Sequence, residues 1–211
     1  MYNMNLFPDL FNQSVDESHQ IIKLDGAELL YVPSFFDKVK SDDYFEKLIN
    51  NVQWKQDKIN MYGRELPLPR LSAWYGDNDK PYSYSGITLQ PNLWTDELSE
   101  IKSDLEKVAN VNFTSVLINR YRDGKDYVGW HTDAEKELGR NPVIGSVNFG
   151  ATRKFQLRRI DDHKVKFEIE LKHGTLLLMR GETQHYWQHQ VPKTSAVIGE
   201  RLNLTFRVIT V

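Results

Sequence analysis

Seven short segments in the last hundred residues constrain this chain more than any other feature. VLINRY, YVGWHTD, IGSVNFG, KFQLRR, VKFEIEL, GTLLLMR and LNLTFRVITV follow one another, separated by the turn signals DGKD, FGATR, DDHK and KHGT. β-Branched and aromatic residues favour a pleated, half-buried surface, and strands this short and dense predict an all-β sandwich or jelly roll. Two helices are expected outside it. SDDYFEKLINNV carries Ser41 as a plausible N-cap, Asp42 and Asp43 in the first turn, and Tyr44, Phe45, Leu48 and Ile49 on one face. Residues 95–109 place Leu98, Ile101, Leu105 and Val108 at helical spacing. Residues 1–20 read as a polar, aperiodic arm, and residues 54–90, rich in Gly, Pro and Tyr, as short strands and loops.

Composition narrows the chemistry. The 211 residues are 40% hydrophobic and 12% aromatic, enough for one sizeable core. With no cysteine, disulfides, zinc–thiolate sites and Cys nucleophiles are excluded. The opening MYNMNLFPDLFNQSVDE shows no basic segment followed by an apolar one, and no apolar run approaches a membrane span. A soluble intracellular monomer with no membrane partner is expected, cytoplasmic in a bacterium or nuclear in a eukaryote. The net charge of −2 requires any basic footprint for phosphate to be local. The candidates are Arg153, Lys154, Arg158, Arg159, Lys164 and Lys166, with Arg64 and Arg70 elsewhere.

Three constellations carry chemistry. His131-Thr132-Asp133 closes an apolar strand, and in extended chain residues two apart share a face, so an imidazole and a carboxylate project together. Two histidines and one carboxylate on one side of an octahedral Fe(II) leave the other side open for cosubstrate and O2. His185 and His189 compete as the third ligand, and spacing alone does not choose between them. His19, His163 and His173 sit in polar or turn contexts and are expected to be exposed. In ERLNLTFRVITV, Leu202, Leu204 and Phe206 take one face while Arg201, Asn203, Thr205 and Arg207 take the other. Guanidinium groups pair bidentately with carboxylates, and a dicarboxylic acid would engage both arginines. Asn119 and Tyr121 in LINRY form another same-face polar pair, able to bond a carboxylate or keto oxygen without adding charge.

Together, H-T-D (131–133), W-Q-H-Q-V-P (187–192) and R-L-N-L-T-F-R (201–207) resemble the AlkB family of nucleic-acid dealkylases. The resemblance runs from about residue 61 to 211 and is strongest to the homologue 2 and homologue 3 branch, through LINRYRDGKDYVGWHTDAEKEL, SVNFGATRKFQLR and HGTLLLMRG. It implies a mainly β fold with flanking helices (α+β). The core would be a double-stranded β-helix, or jelly roll, over residues 91–211, with an N-terminal extension and nucleotide-recognition lid over residues 1–90. It implies His189 as the third iron ligand. Arg201 would clamp the distal carboxylate of 2-oxoglutarate beside Asn203 and Tyr121, and Arg207 and Asn119 would hold its other end. In the lid, Tyr82, Tyr84 and Ser85 would line a base pocket, Tyr84 stacking on a flipped base against His131. Glu135 would contact the exocyclic amino group. Met61 and Tyr62 would form a duplex wedge, with Arg70 near the flipped nucleotide. Tyr62, Glu65 and Leu66 depart from the family pattern and leave strand preference open.

The implied activity is oxidative demethylation of 1-methyladenine and 3-methylcytosine in DNA, with Fe(II), 2-oxoglutarate and O2. Formaldehyde, succinate and CO2 would be the by-products. A cationic methylated base suits an acidic, aromatic pocket. The rivals are a 2-oxoglutarate dioxygenase acting on RNA or another substrate, a jelly-roll binding module without iron, and a cupin-like metal protein without 2-oxoglutarate. The last leaves Arg201 and Arg207 unexplained.

Overall fold

The computed structural model describes residues 15–16, 19–61, 64–77, 82–84, 87–89 and 91–210. The first described elements are β1 (Val15–Asp16), β2 (His19–Leu24) and β3 (Ala27–Val32), so the described end of the expected arm is strand. Helix α1 (Lys38–Asn51) follows. The central segment forms β4 (Lys58–Met61), β5 (Arg64–Pro67), β6 (Leu71–Gly76), β7 (Tyr82–Tyr84) and β8 (Ile87–Leu89). After α2 (Asp96–Ala109) come β9 (Ser115–Tyr121), β10 (Val128–His131), β11 (Ile144–Gly150), β12 (Arg153–Arg159), β13 (Lys166–Leu171) and β14 (Thr175–Arg180). A single helical turn, α3 (Thr183–Tyr186), leads into β15 (Trp187–Val191), and β16 (Arg201–Arg207) completes the fold.

Two antiparallel sheets face each other. The large one runs β1-β2-β3-β14-β11-β16-β9-β6 and the small one β10-β15-β12-β13, while β4-β5 and β7-β8 are separate hairpins. The non-sequential strand order, with consecutive strands β9 to β16 divided between two facing sheets, is that of a jelly roll. No helix of the described residues is long and apolar enough to cross a membrane.

Each sheet face has its own core, which explains why β16 is buried at all seven positions. Leu202, Leu204 and Phe206 join Ile118, Val147 and Leu178 beneath the helices, among Leu98, Ile101, Leu105, Tyr44 and Leu48. The opposite face packs on the small sheet through Tyr31, Tyr121, Phe155, Leu157, Leu177 and Met179. Helix α2 follows its expected bounds closely. Thr95 caps it by accepting from Leu98 N–H, and Asn110 ends it in the left-handed region at φ 55°. Leu98, Ile101 and Leu105 are fully buried, and truncating one to Ala would cost about 2–5 kcal/mol. The helix approaches the sheet closely because Gly145 lies beneath it, where a Cβ would stand 2.8 Å from Leu105 Cδ2.

Helix α1 departs from expectation at its start. Its N-cap is Asp37, which accepts from Lys40 N–H at 2.8 Å. Ser41, the cap expected from the sequence, is buried inside the first turns and donates to Phe36 O. The added turn carries Lys38, Val39 and Lys40, which supply no buried apolar position for a periodicity to detect.

Candidate metal and anion site

The small sheet builds the metal side. Strands β10 and β15 pair antiparallel with His131 opposite His189, and the two rings lie 4.2 Å apart. Asp133 follows two residues beyond His131. The ligand atoms of the three residues all fall within 4.8 Å of one another, and they form the one such cluster among the described residues. His131 Nε2 and His189 Nε2 each stand 4.0 Å from a different oxygen of Asp133. His131 Nδ1 lies 2.8 Å from Gly129 O. A carbonyl only accepts, so Nδ1 carries the proton and Nε2 presents its lone pair to the gap.

Electrostatics prepares the same gap for a cation. Burial works to raise the Asp133 carboxyl, but Arg207, His189 and His131 override it and hold the group at about 2. His189 is pushed down to about 3, first by burial and then by His131 and Arg207, against the pull of Asp133. It is therefore neutral at ordinary pH, the form that binds a metal. Gln184, itself buried, accepts from Asp133 N–H at 2.9 Å and fixes the backbone behind the carboxylate.

The large sheet builds the anion side. Strand β16 pairs with β9 and β11, setting Arg201 opposite Tyr121, Asn203 between Asn119 and Asn148, and Thr205 opposite Ser146. Arg70, Asn119, Tyr121, Arg201, Asn203, Thr205 and Arg207 thus line one cavity together with His131, Asp133 and His189. Arg207 Nη2 donates to Asp133 Oδ1 at 2.9 Å. Arg201 donates from Nη2 to Asn148 Oδ1 at 2.6 Å, whereas its buried Nε and Nη1 find no hydrogen-bond partner among the described residues. Burial draws Arg201 down to about 10, with the neighbouring Arg153 adding to the effect and Tyr121 opposing it, so it remains a cation.

These residues fit the group the sequence implied. Two imidazoles and a carboxylate with converging donor atoms suit Fe(II), and two buried guanidinium nitrogens with no acceptor among the described residues suit a carboxylate of a dicarboxylic acid.

Other expected residues fall into place unequally. Arg70 is buried, and its Nε donates to Asn119 Oδ1 at 2.7 Å, so the oxygen of Asn119 is already engaged inside the cavity. One carboxylate oxygen of Glu135 is buried without a hydrogen-bond partner among the described residues. Tyr62 and Ser85 lie outside the described residues, as do the side chains of Met61, Tyr82, Tyr84 and Arg64. His185 is exposed and sits 2.9 Å from Asn141 Oδ1. His173, expected to be exposed, is half-buried: its Nδ1 accepts from Gly150 N–H at 2.8 Å and its Nε2 lies 3.1 Å from Asp42.

The basic run on β12 is not an open footprint. Arg153 is buried and donates to the carbonyls of Asp123, Asp126 and Pro192. Lys154 pairs with Glu168 and Arg159 with Asp25 and Asp161, while the Arg158 guanidinium stacks 4.4 Å from the Trp130 ring. Lys164 and Lys166 alone remain simple exposed cations in this group. Sequence reasoning missed Asn148, Ser146 and Gln184. The first two were detectable, because Ser146 and Asn148 alternate with Val147 and Phe149 in IGSVNFG and form a polar face in a buried strand.

Comparison with known proteins agrees with this geometry. A family model described as the 2OG-Fe(II) oxygenase superfamily matches residues 28–207. Alpha-ketoglutarate-dependent dioxygenase alkB homolog 3 of Mus musculus is 44% identical over 186 residues, covering 84% of this chain. The match spans only 64% of that relative's own length. DNA oxidative demethylase ALKBH2 of Homo sapiens is 35% identical over 206 residues, 93% of this chain and 78% of the relative. The solved structure of OsALKBH1 superposes with a TM-score of 0.61 at 17% identity, covering 89% of this chain and 99% of the other, a likeness of fold. A metal triad facing an arginine-lined cavity between two sheets, in a chain with these relatives, belongs to the AlkB family of the 2OG-Fe(II) oxygenase superfamily.

Proposed function

We propose that this chain is an Fe(II)- and 2-oxoglutarate-dependent dioxygenase that oxidatively demethylates alkylated bases in DNA, 1-methyladenine and 3-methylcytosine among them. The observation that carries the reading is the pairing of the His131–Asp133–His189 cluster with the buried donors of Arg201 in one cavity. When bound, iron, 2-oxoglutarate and O2 supply the oxidising chemistry, which ends in succinate, CO2 and a hydroxylated methyl group that leaves as formaldehyde.

The residues of the chain do the rest. His131, Asp133 and His189 would hold the metal, and Arg201 would take the distal carboxylate, with Tyr121 and Asn203 beside it. Arg207, already paired with Asp133, brings a cation to the opposite end of the cavity and restrains the Asp133 carboxylate. The walls between them, Leu117, Val128, Phe155, Met179 and Val191, exclude water and strengthen every charge interaction inside. Glu135, one of whose oxygens is buried without a partner among the described residues, would accept from the exocyclic amino group of the base. Tyr82, Tyr84 and Ser85 would complete the base pocket, Met61 and Tyr62 would act as the duplex wedge, and Arg70, buried in the cavity wall, would sit near the flipped nucleotide. The relatives named for DNA demethylation support DNA as the substrate class.

The test incubates the protein with Fe(II), 2-oxoglutarate and oligonucleotides carrying 1-methyladenine or 3-methylcytosine, as single- and double-stranded DNA and as RNA. Formaldehyde and the unmodified base are expected from DNA. Their absence from every oligonucleotide, with metal and 2-oxoglutarate both bound, would sink the repair assignment. Release from RNA alone would move the activity to that substrate.

A further inference from the structure

Asn148 lies on β11, directly across from Asn203 on β16, and is almost fully buried. Its orientation is fixed by what surrounds it. Nδ2 donates to Ser146 O at 3.0 Å and reaches Ser146 Oγ and Thr175 O at 3.4 Å. Oδ1 accepts from Arg201 Nη2 at 2.6 Å and from Asn203 Nδ2 at 3.2 Å. Reversing the amide would set its nitrogen against two donors and its oxygen against carbonyl oxygens, so one orientation satisfies the site.

The charge of this arrangement is unusual. A buried guanidinium is ordinarily matched by a carboxylate, because an uncompensated buried charge is costly. Among the described residues Arg201 donates instead to an uncharged amide, with Tyr121 beside it. Of the cavity's described lining residues, three are arginines, Arg70, Arg201 and Arg207, and one is an acid, Asp133, which is bound to Arg207. A further buried cation, Arg153, shares the Tyr121 ring with Arg201, their guanidinium carbons 5.6 and 5.0 Å from its centre. Asn148 therefore steers one nitrogen of Arg201 without cancelling its charge, and the two remaining nitrogens have no acceptor among the described residues.

We propose that Asn148 is the positioning residue for the cosubstrate: it orients Arg201 and Asn203 toward an incoming carboxylate. By being an amide and not an acid, it leaves the guanidinium charge for that carboxylate to neutralise. The inference rests on the reading of this cavity as a 2-oxoglutarate site.

Asn148→Asp tests it, because it preserves shape and both acceptor contacts while supplying an internal counter-ion, whose pairing with Arg201 offsets the lost donor contacts to Ser146 O and Thr175 O. Binding of 2-oxoglutarate to the Mn(II)-loaded protein is measured by calorimetry, and melting of the ligand-free protein by calorimetric scan. The variant is expected to bind 2-oxoglutarate at least about tenfold more weakly, as one charge-assisted pair is forestalled. Its Mn(II) affinity without 2-oxoglutarate should not fall, and its ligand-free melting temperature should be equal or higher. Affinity lost with stability kept or gained is a split that a merely structural asparagine does not produce. Unchanged 2-oxoglutarate affinity, or a loss of affinity accompanied by a lower melting temperature, overturns the proposal. If the aspartate variant does not fold, Asn148→Ser, which is neutral and too short to hold Arg201, gives the same reading. It should weaken 2-oxoglutarate binding, and wild-type affinity in it overturns the proposal. A wild-type protein that binds Mn(II) but no 2-oxoglutarate overturns both this inference and the cosubstrate reading beneath it. A wild type that binds, with variants that bind equally, removes Asn148 alone.

Discussion

Arg207 and Asp133 form an ion pair across the two sheets, Nη2 to Oδ1 at 2.9 Å, with both side chains almost wholly buried. Arg207 ends β16, an inner strand of the large sheet, and Asp133 lies just past a strand of the small one. The pair orients the carboxylate and keeps it ionised. Arg207→Leu would leave Asp133 buried beside two imidazoles alone. Breaking a buried pair from one side costs about 3–5 kcal/mol. Urea unfolding of the metal-free variant should show that loss, and saturating Mn(II) should restore part of it by supplying a new counter-charge. An unchanged midpoint would remove the pair from any structural role.

His189→Ala should abolish turnover and lower Mn(II) affinity, whereas His185→Ala should change neither by more than about twofold, as expected for an exposed side chain away from such features. The geometry separates the two residues: His189 is buried against His131, and His185 faces Asn141 at the surface. Equal losses in both variants would mean the third ligand is misassigned.

Gln184→Leu should weaken Mn(II) binding by about 10–100-fold, the usual effect of removing a group that holds a ligand in place. Its amide oxygen is the acceptor for Asp133 N–H. The variant also strands that buried donor, at about 1–3 kcal/mol of stability. Metal titration and urea unfolding check the two effects separately, and wild-type metal affinity would show that Asp133 needs no such support.

Acid should destabilise the metal-free protein earlier than its carboxylates alone would require. Burial, His131 and Arg207 hold His189 down at about 3 in the folded state, from an ordinary value of 6.5. Across that interval the unfolded chain takes up a proton that the folded chain refuses. Stability is therefore complete above the unfolded value and falls as pH drops toward the folded one. Asp133, depressed to about 2, adds a further loss below about pH 4. Urea midpoints at pH 7.5 and 5 should differ more in wild type than in His189→Gln. Parallel slopes would mean that His189 does not titrate as its burial demands.

Much of the site was readable because a strand has a period of two. That period placed Arg201, Asn203, Thr205 and Arg207 on one face, and the structure shows all four lining one cavity. The same rule did not reveal that both faces are equally buried, since coverage by α1 and α2 on one side and the small sheet on the other depends on topology and not on the strand itself. The choice of His189 needed the family pattern, because His185 differs from it only in where α3 and β15 send their side chains. Asn148 went unread for another reason. Its role depends on the pairing of β11 with β16, about fifty residues apart, and on an amide orientation that no spacing encodes. The start of α1 lies before the expected cap because its first turn sets an exposed Val39 between two lysines and has no buried apolar position.

The cavity has its metal ligands on one sheet and Arg201 on the other, with Phe155, Leu157, Leu177 and Met179 filling the space between. The span from metal to guanidinium is thus a thickness, set by how close the packed side chains allow the sheets to come. Close-packed interiors compress very little. The sandwich acts as a caliper: the bulk of a few apolar side chains fixes how long a dicarboxylic acid must be to touch both jaws.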